Sequence, residues 1–201
     1  MFSASLLLPA LTAAAVAYLL GSLSTAIIVC RLMGLPDPRT AGSNNPGTTN
    51  VLRIGGRLPA ALTLLGDGLK GYLPVLLTSL FLPHPPTVAL VALAAFLGHV
   101  YPIFFEFRGG KGVATAFGAL LGISGSMGAL ALLTWLAVSL TFRRSSLAAL
   151  VTFLLIPVYL LVDGETVYSL AFVIIGLFVF WTHRSNISRL VSGDEPIIGK
   201  R

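Results

Sequence analysis

Three polar stretches interrupt an otherwise apolar chain, and each carries groups suited to oxyanions. The first, GSNNPGTTNVLR at 42–53 within a wider segment 36–56, gathers Ser43, Asn45, Thr49 and Asn50 beside Arg53. Hydroxyls and amides offer several hydrogen bonds there, and a guanidinium presents a planar fork to phosphate or carboxylate. A plain turn rich in Asn, Gly and Pro has the same composition but is usually shorter. The second stretch is RGGKG at 108–112, within 106–112. Gly109, Gly110 and Gly112 let backbone N–H groups close on an anion, and Lys111 adds a point charge. A helix predicted from about Val113 aims its positive end at the same place. Phe105 stands where a Walker A loop needs its first glycine, and Gly112 where it needs Ser or Thr for magnesium, so a nucleotide triphosphatase is excluded. The third stretch is THRSNISRLVSGDEPIIGKR at 182–201, where His183 and Asn186 fall on one face of a helical extension. Arg184 and Arg189 of the same stretch suit lipid headgroups, as an interfacial tail would.

Other polar residues have plainer readings. Asp67 and Lys70 sit three apart in an apolar run, which suits an ion pair near the inner interface, and Asp37 with Arg39 suits a loop brace. His99 reads as a packed histidine and His84 as an exposed one. The single cysteine, Cys30, excludes an internal disulfide and reads as a small buried hydrophobe. No cluster of metal-ligand spacing occurs, so neither metal nor cofactor is expected.

These stretches must be positioned by membrane helices. The 201 residues are 56% hydrophobic and only 10% charged, against about 25% charged in ordinary soluble domains. Mean hydropathy is +0.92, so most of the surface faces something other than water. The net charge of +6 is better explained by membrane orientation than by nucleic acid, and no nucleic-acid partner is expected. Apolar runs lie at about 6–30, 61–82, 87–105, 113–141, 147–162 and 166–182. The first lacks a basic leader and is long enough to span, so it reads as a retained helix. No Lys or Arg occurs at 71–107 or 145–183, which places the links at PHPP and DGE outside and the basic segments inside. All basic segments share one side only if 113–141 dips in and returns, broken at GISGSMG, 122–128. The expectation is an all-α polytopic membrane protein with seven helical pieces, two of them short. Its N-terminus is outside, its C-terminus is cytoplasmic, and 1–201 forms a single domain. Gly118 and Gly122 form a G-x-x-x-G pair suited to close helix packing.

Taken together, GSNNPGTTNVLR (42–53), GHVYPIFFEFRGGKGVATAFG (98–118) and HRSNISRLVSGDE (183–195) resemble the bacterial acyl-phosphate:glycerol-3-phosphate acyltransferases, the PlsY family. The resemblance implies seven transmembrane helices with these motifs facing the cytoplasm, in a bacterial inner membrane. It implies transfer of an acyl chain from acyl phosphate to glycerol 3-phosphate, giving lysophosphatidic acid and phosphate, without acyl-CoA. It assigns Ser43, Asn45, Thr49, Asn50 and Arg53 to the first part of the site, and Gly109, Gly110, Lys111 and Gly112 to phosphate. It assigns His183 and Asn186 to the third part, and to Glu195 a structural role. Ser43, Arg53, Lys111 and His183 are the expected catalytic set. Ala41 and Thr48 stand where relatives commonly carry Ser and Ala. Ala149 stands where some carry serine, which leaves Ser146 as the nearby hydroxyl. The expected partners are the two substrates, the bilayer and the enzyme that makes acyl phosphate, with the chain a monomer.

Acyl phosphate is already activated, so positioning and charge stabilisation are the expected means of catalysis. The proton of the attacking hydroxyl goes to the donor's own phosphate, and His183 binds substrate rather than acting as obligatory base. A covalent acyl-Ser43 intermediate is the rival within this chemistry. A transporter or channel for phosphorylated metabolites is the rival outside it, since an anion site among broken helices also fits transport.

Overall fold

The computed structural model describes residues 4–198, so positions 199–201 of the third polar stretch, and the first three residues, lie outside the described residues. Every regular element among the described residues is helical. They form two compact units divided between Ile123 and Ser124.

The first unit holds α1 (Ala4–Gly21), α2 (Thr25–Leu32), α3 (Thr48–Gly55), α4 (Arg57–Phe81), α5 (Pro85–Val100) and α6 (Val113–Ile123). Helices α1 and α2 are one 28-residue apolar stretch, Ser5–Leu32, broken near Ser22 and Ser24. Backbone freed by such a break must find a partner inside protein. Lys70 Nζ supplies one, donating to Leu23 O at 2.8 Å. Between apolar helices in lipid, association rests on close packing rather than on expulsion of water. The sequence accordingly places small residues where backbones meet. A Cβ on Gly118 or Gly71 would collide with the carbonyls of Gly68 and Thr115 across the α4–α6 contact. Gly122 lies against the next turn of α4, as the G-x-x-x-G spacing predicts.

The second unit holds α7 (Gly125–Phe142), α8 (Ser145–Val162), α9 (Thr166–Thr182) and α10 (Arg184–Ser192). Phe153, Ile156 and Leu160 of α8 are buried, as are Phe172, Ile175 and Val179 of α9. Hydrogen bonds tie the helices further, Ser169 Oγ donating to Pro157 O at 2.8 Å and Thr134 sharing one with Tyr159 at 3.0 Å. Each such bond contributes about 0.6 kcal/mol in membrane bundles. Leucines on the opposite faces, Leu133, Leu140, Leu154, Leu170 and Leu177 among them, stay exposed, as lipid-facing positions do. The polar α10 leaves α9 at an angle of 61°.

Five apolar stretches are long enough to cross a membrane. Among the described residues, the 11-residue α6 and the 17-residue α9 are further, shorter apolar helices. The break between the expected half-helices is narrower than GISGSMG. It falls at Ser124 alone, so α7 runs 18 residues instead of the short 129–141. Ser124 explains the difference. Its Oγ accepts from Met127 N at 3.3 Å and starts a new helix at once, and the glycines that follow are tolerated in apolar helices.

Candidate active site

The first polar stretch is a braced loop, and Asn50 is its brace. Its side-chain oxygen accepts from Ser43 N at 2.8 Å, and its Nδ2 donates to Pro38 O at 3.0 Å and Ala41 O at 2.9 Å. With 1% of its surface exposed, Asn50 organises the loop from within. Gly42, at φ +64°, passes over that amide where a side chain would not fit. Asp37 and Arg39 add an ion pair at 2.8 Å. Hydrogen bonding from the Arg39 guanidinium holds the Asp37 carboxyl below its ordinary value. The loop then turns into α3 at Gly47. Thr49 and Arg53, four apart, project from one exposed face of α3, and the Ser43 side chain is exposed too. Asn45 is half-buried beside Gly47.

The second stretch lies against the first. A 3₁₀ turn at Ile103–Phe105 leads into Glu106 and Phe107, both left-handed at φ +58° and +57°. Gly110 N donates to His99 O at 3.2 Å, which folds the loop back onto the end of α5. The space a Gly110 side chain would need is filled by the His99 ring and, 2.8 Å from a Cβ, by Pro46 O. Gly112, at φ +82°, passes over the Phe96 ring on its way into α6. The glycines were expected for approach to a ligand; packing against α5 and the first loop demands all three independently, since a Cβ on Gly109 would also meet the His99 and Val100 carbonyls. Arg39 also reaches towards Glu106, at 3.9 Å. The structure thus brings 36–47 and 106–112 together, with Lys111 half-buried at their junction.

Asp67, Lys70 and His99 lie beneath this junction, all buried. Lys70 Nζ is 2.8 Å from Asp67 Oδ1, the ion pair their spacing predicts. His99 Nδ1 is 3.6 Å from the same oxygen, an addition the spacing does not reveal.

In the second unit, His183 ends α9 and is 3% exposed. Its Nδ1 lies 2.8 Å from Val179 O. A carbonyl can only accept, so Nδ1 carries the proton and Nε2 is the basic nitrogen of the neutral ring. Glu195 gathers three donors: Ser146 Oγ and Asn186 Nδ2 at 2.6 Å each on Oε1, and Arg189 Nε at 2.8 Å on Oε2. Burial pushes the Glu195 carboxyl up, but these hydrogen bonds and the Arg189 charge outweigh it and leave it below its ordinary value. Asn186 is therefore oriented by Glu195. Ser146 enters as a Glu195 partner, a role that sequence reasoning missed because 49 residues separate them. Arg184 stacks on Trp181 with 4.7 Å to the ring centroid, consistent with an interfacial turn. No group of three or more metal-ligating side chains occurs among the described residues.

The sequence model of the family described as glycerol-3-phosphate acyltransferase matches residues 11–193. A glycerol-3-phosphate acyltransferase of Thioalkalivibrio sulfidiphilus (strain HL-EbGR7) is 56% identical over 186 residues, covering 92% of this chain and 92% of its own. That of Hydrogenovibrio crunogenus (strain DSM 25203 / XCL-2) is 54% identical over 187 residues, covering 92% of this chain and 90% of its own. Among solved structures, PlsY (YgiH), an integral membrane glycerol 3-phosphate acyltransferase, matches in its glycerol 3-phosphate form with a TM-score of 0.91. Identity there is 37%, over 95% of this chain and 96% of that one. Its lysophosphatidic acid form matches with a TM-score of 0.88.

Proposed function

The chain belongs to the glycerol-3-phosphate acyltransferase family of integral membrane proteins, and we propose that it acylates the 1-hydroxyl of glycerol 3-phosphate from acyl phosphate. The single observation that carries the reading is the packing of two anion-suited loops on each other. One presents Ser43, Thr49 and Arg53; the other presents Gly109–Gly112 with Lys111. Both substrates carry phosphate, and two cationic loops suit two phosphates.

In the reaction, the hydroxyl oxygen of glycerol 3-phosphate attacks the acyl carbonyl carbon. The carbonyl carbon–oxygen bond to phosphate breaks, and phosphate leaves with the electron pair. The hydroxyl proton passes to an oxygen of that phosphate, so the products are lysophosphatidic acid and hydrogen phosphate. Arg53 and Lys111 offset phosphate charge, and loop N–H groups stabilise oxygens that gain charge. In this reading His183 is a substrate ligand rather than an obligatory base, and Glu195 holds Asn186 in place. Nothing in this sequence of steps needs an acyl-enzyme, because the donor is already a mixed anhydride. The proposal places the enzyme, as a monomer, in a bacterial inner membrane with its polar loops in the cytoplasm, supplied by the enzyme that makes acyl phosphate.

Purified protein given palmitoyl phosphate and glycerol 3-phosphate, with a chelator present, is expected to release phosphate and lysophosphatidic acid in equal amounts. Palmitoyl-CoA is expected to give none. Folded protein that forms no product, or that moves labelled glycerol 3-phosphate across vesicles without acylating it, overturns the proposal.

A further inference from the structure

We propose that His99, anchored by Asp67, is the positioning residue of the Gly109–Gly112 loop; this rests on the reading of that loop as a phosphate site. Three ionisable side chains inside apolar helices are costly, and such residues generally serve a site. Here they form one continuous chain of contacts within the first unit. Lys70 Nζ caps Leu23 O at 2.8 Å and pairs with Asp67 Oδ1 at 2.8 Å. Asp67 Oδ1 faces His99 Nδ1 at 3.6 Å. The opposite edge of the same ring, Nε2 and Cε1, occupies the space above Gly110. The His99 carbonyl accepts from Gly110 N at 3.2 Å and also lies against Gly109. His99 therefore holds the loop with both its ring and its backbone, one residue from Lys111.

An apolar ring would fill the space but would not be oriented, because only a polar edge answers Asp67. The Asp67 carboxylate attracts the Nδ1 edge of the ring from 3.6 Å, outside hydrogen-bond distance, and the ring sets how closely the loop lies on α5. Lys70 pairs with that carboxylate at 2.8 Å and ties it to the break in the first span. His99 touches no reacting atom in this arrangement; it acts through the loop.

The test compares His99→Ala, His99→Asn and Lys111→Ala in steady-state kinetics with palmitoyl phosphate and glycerol 3-phosphate varied in turn. A displaced phosphate loop weakens charge-assisted hydrogen bonds to the substrate it holds, which costs about tenfold in binding. His99→Ala is expected to raise the KM of the same substrate as Lys111→Ala, by about tenfold, leaving the other KM within about twofold. Tryptic cleavage after Arg108 and Lys111 in detergent is expected to quicken about tenfold in step, because the loop leaves α5 more often. Should His99→Ala not fold, His99→Asn carries the same expectation, since its shorter amide still reaches Asp67 but vacates the space over Gly110. Unchanged KM values with unchanged cleavage in a folded variant overturn the inference, as does a loss confined to kcat. If the wild-type protein shows no acyl transfer, the functional reading fails on its own, and cleavage alone still decides whether His99 holds the loop.

Discussion

Replacing Glu195 isolates what one buried carboxylate contributes to the second unit. Glu195→Ala removes the acceptor for Ser146 Oγ and Asn186 Nδ2, both buried. A hydrogen bond to a charged group contributes about 1.5–3 kcal/mol, so losing two costs roughly 3–6 kcal/mol. The Arg189 side chain is 40% exposed and regains water, so it adds little. Glu195→Gln keeps an oxygen for the two neutral donors and loses only the charged bond on Oε2, a cost of about 1 kcal/mol. For a chain of this length 1 kcal/mol moves Tm by roughly 2–4 °C. In detergent, monitored by size-exclusion loss on heating, Glu195→Ala is expected to melt at least about 5 °C below wild type and Glu195→Gln within about 4 °C. Equal melting of Glu195→Ala and wild type, or equal damage by the two variants, would show that the three donors do not depend on this acceptor.

The same carboxyl gives a pH prediction. Because its folded value is depressed, its stabilisation is complete above the unfolded value of about 4.3 and is lost as pH falls through the folded value. The Tm difference between wild type and Glu195→Gln should therefore shrink below about pH 4 and hold steady above about pH 5. Asn50→Ala should cost about 1 kcal/mol for each of three hydrogen bonds, seen as a Tm lowered by roughly 6–12 °C and a raised substrate KM in steady-state kinetics. Gly118→Leu should cost about 1–3 kcal/mol or more, seen as a lowered Tm, because the carbonyl of Gly68 is backbone and cannot turn aside.

What the sequence made legible was what is local or governed by composition. Apolar run length located the helices, and Asp67 with Lys70 was visible because one helical turn separates them. The polar loops stood out by residue type, but their internal roles did not. Asn44, Asn45 and Asn50 are alike as letters. The inward one is chosen by a turn in which Gly42 and Asn44 adopt left-handed φ, and sequence does not fix that register. The reason for Gly110 was half legible. Backbone freedom is a property of the residue, whereas the His99 ring that demands it lies eleven positions away on another element. Ser146 and Glu195 meet only after α8, α9 and α10 have been laid down between them, so no short-range spacing could pair them.

That last pairing has a consequence for how the protein is made. Ser146 leaves the ribosome 49 residues ahead of Glu195, and Asn186 nine residues ahead. Chains acquire structure from the N-terminal side as they are synthesised. The first unit thus has its packing partners while translation continues, but the second waits for its carboxylate. Until Glu195 arrives, a hydroxyl and an amide stand in the nascent bundle without the acceptor the finished protein gives them. A pause or premature stop shortly before codon 195 would leave a second unit that lacks this acceptor, a difference that quality-control proteases can read.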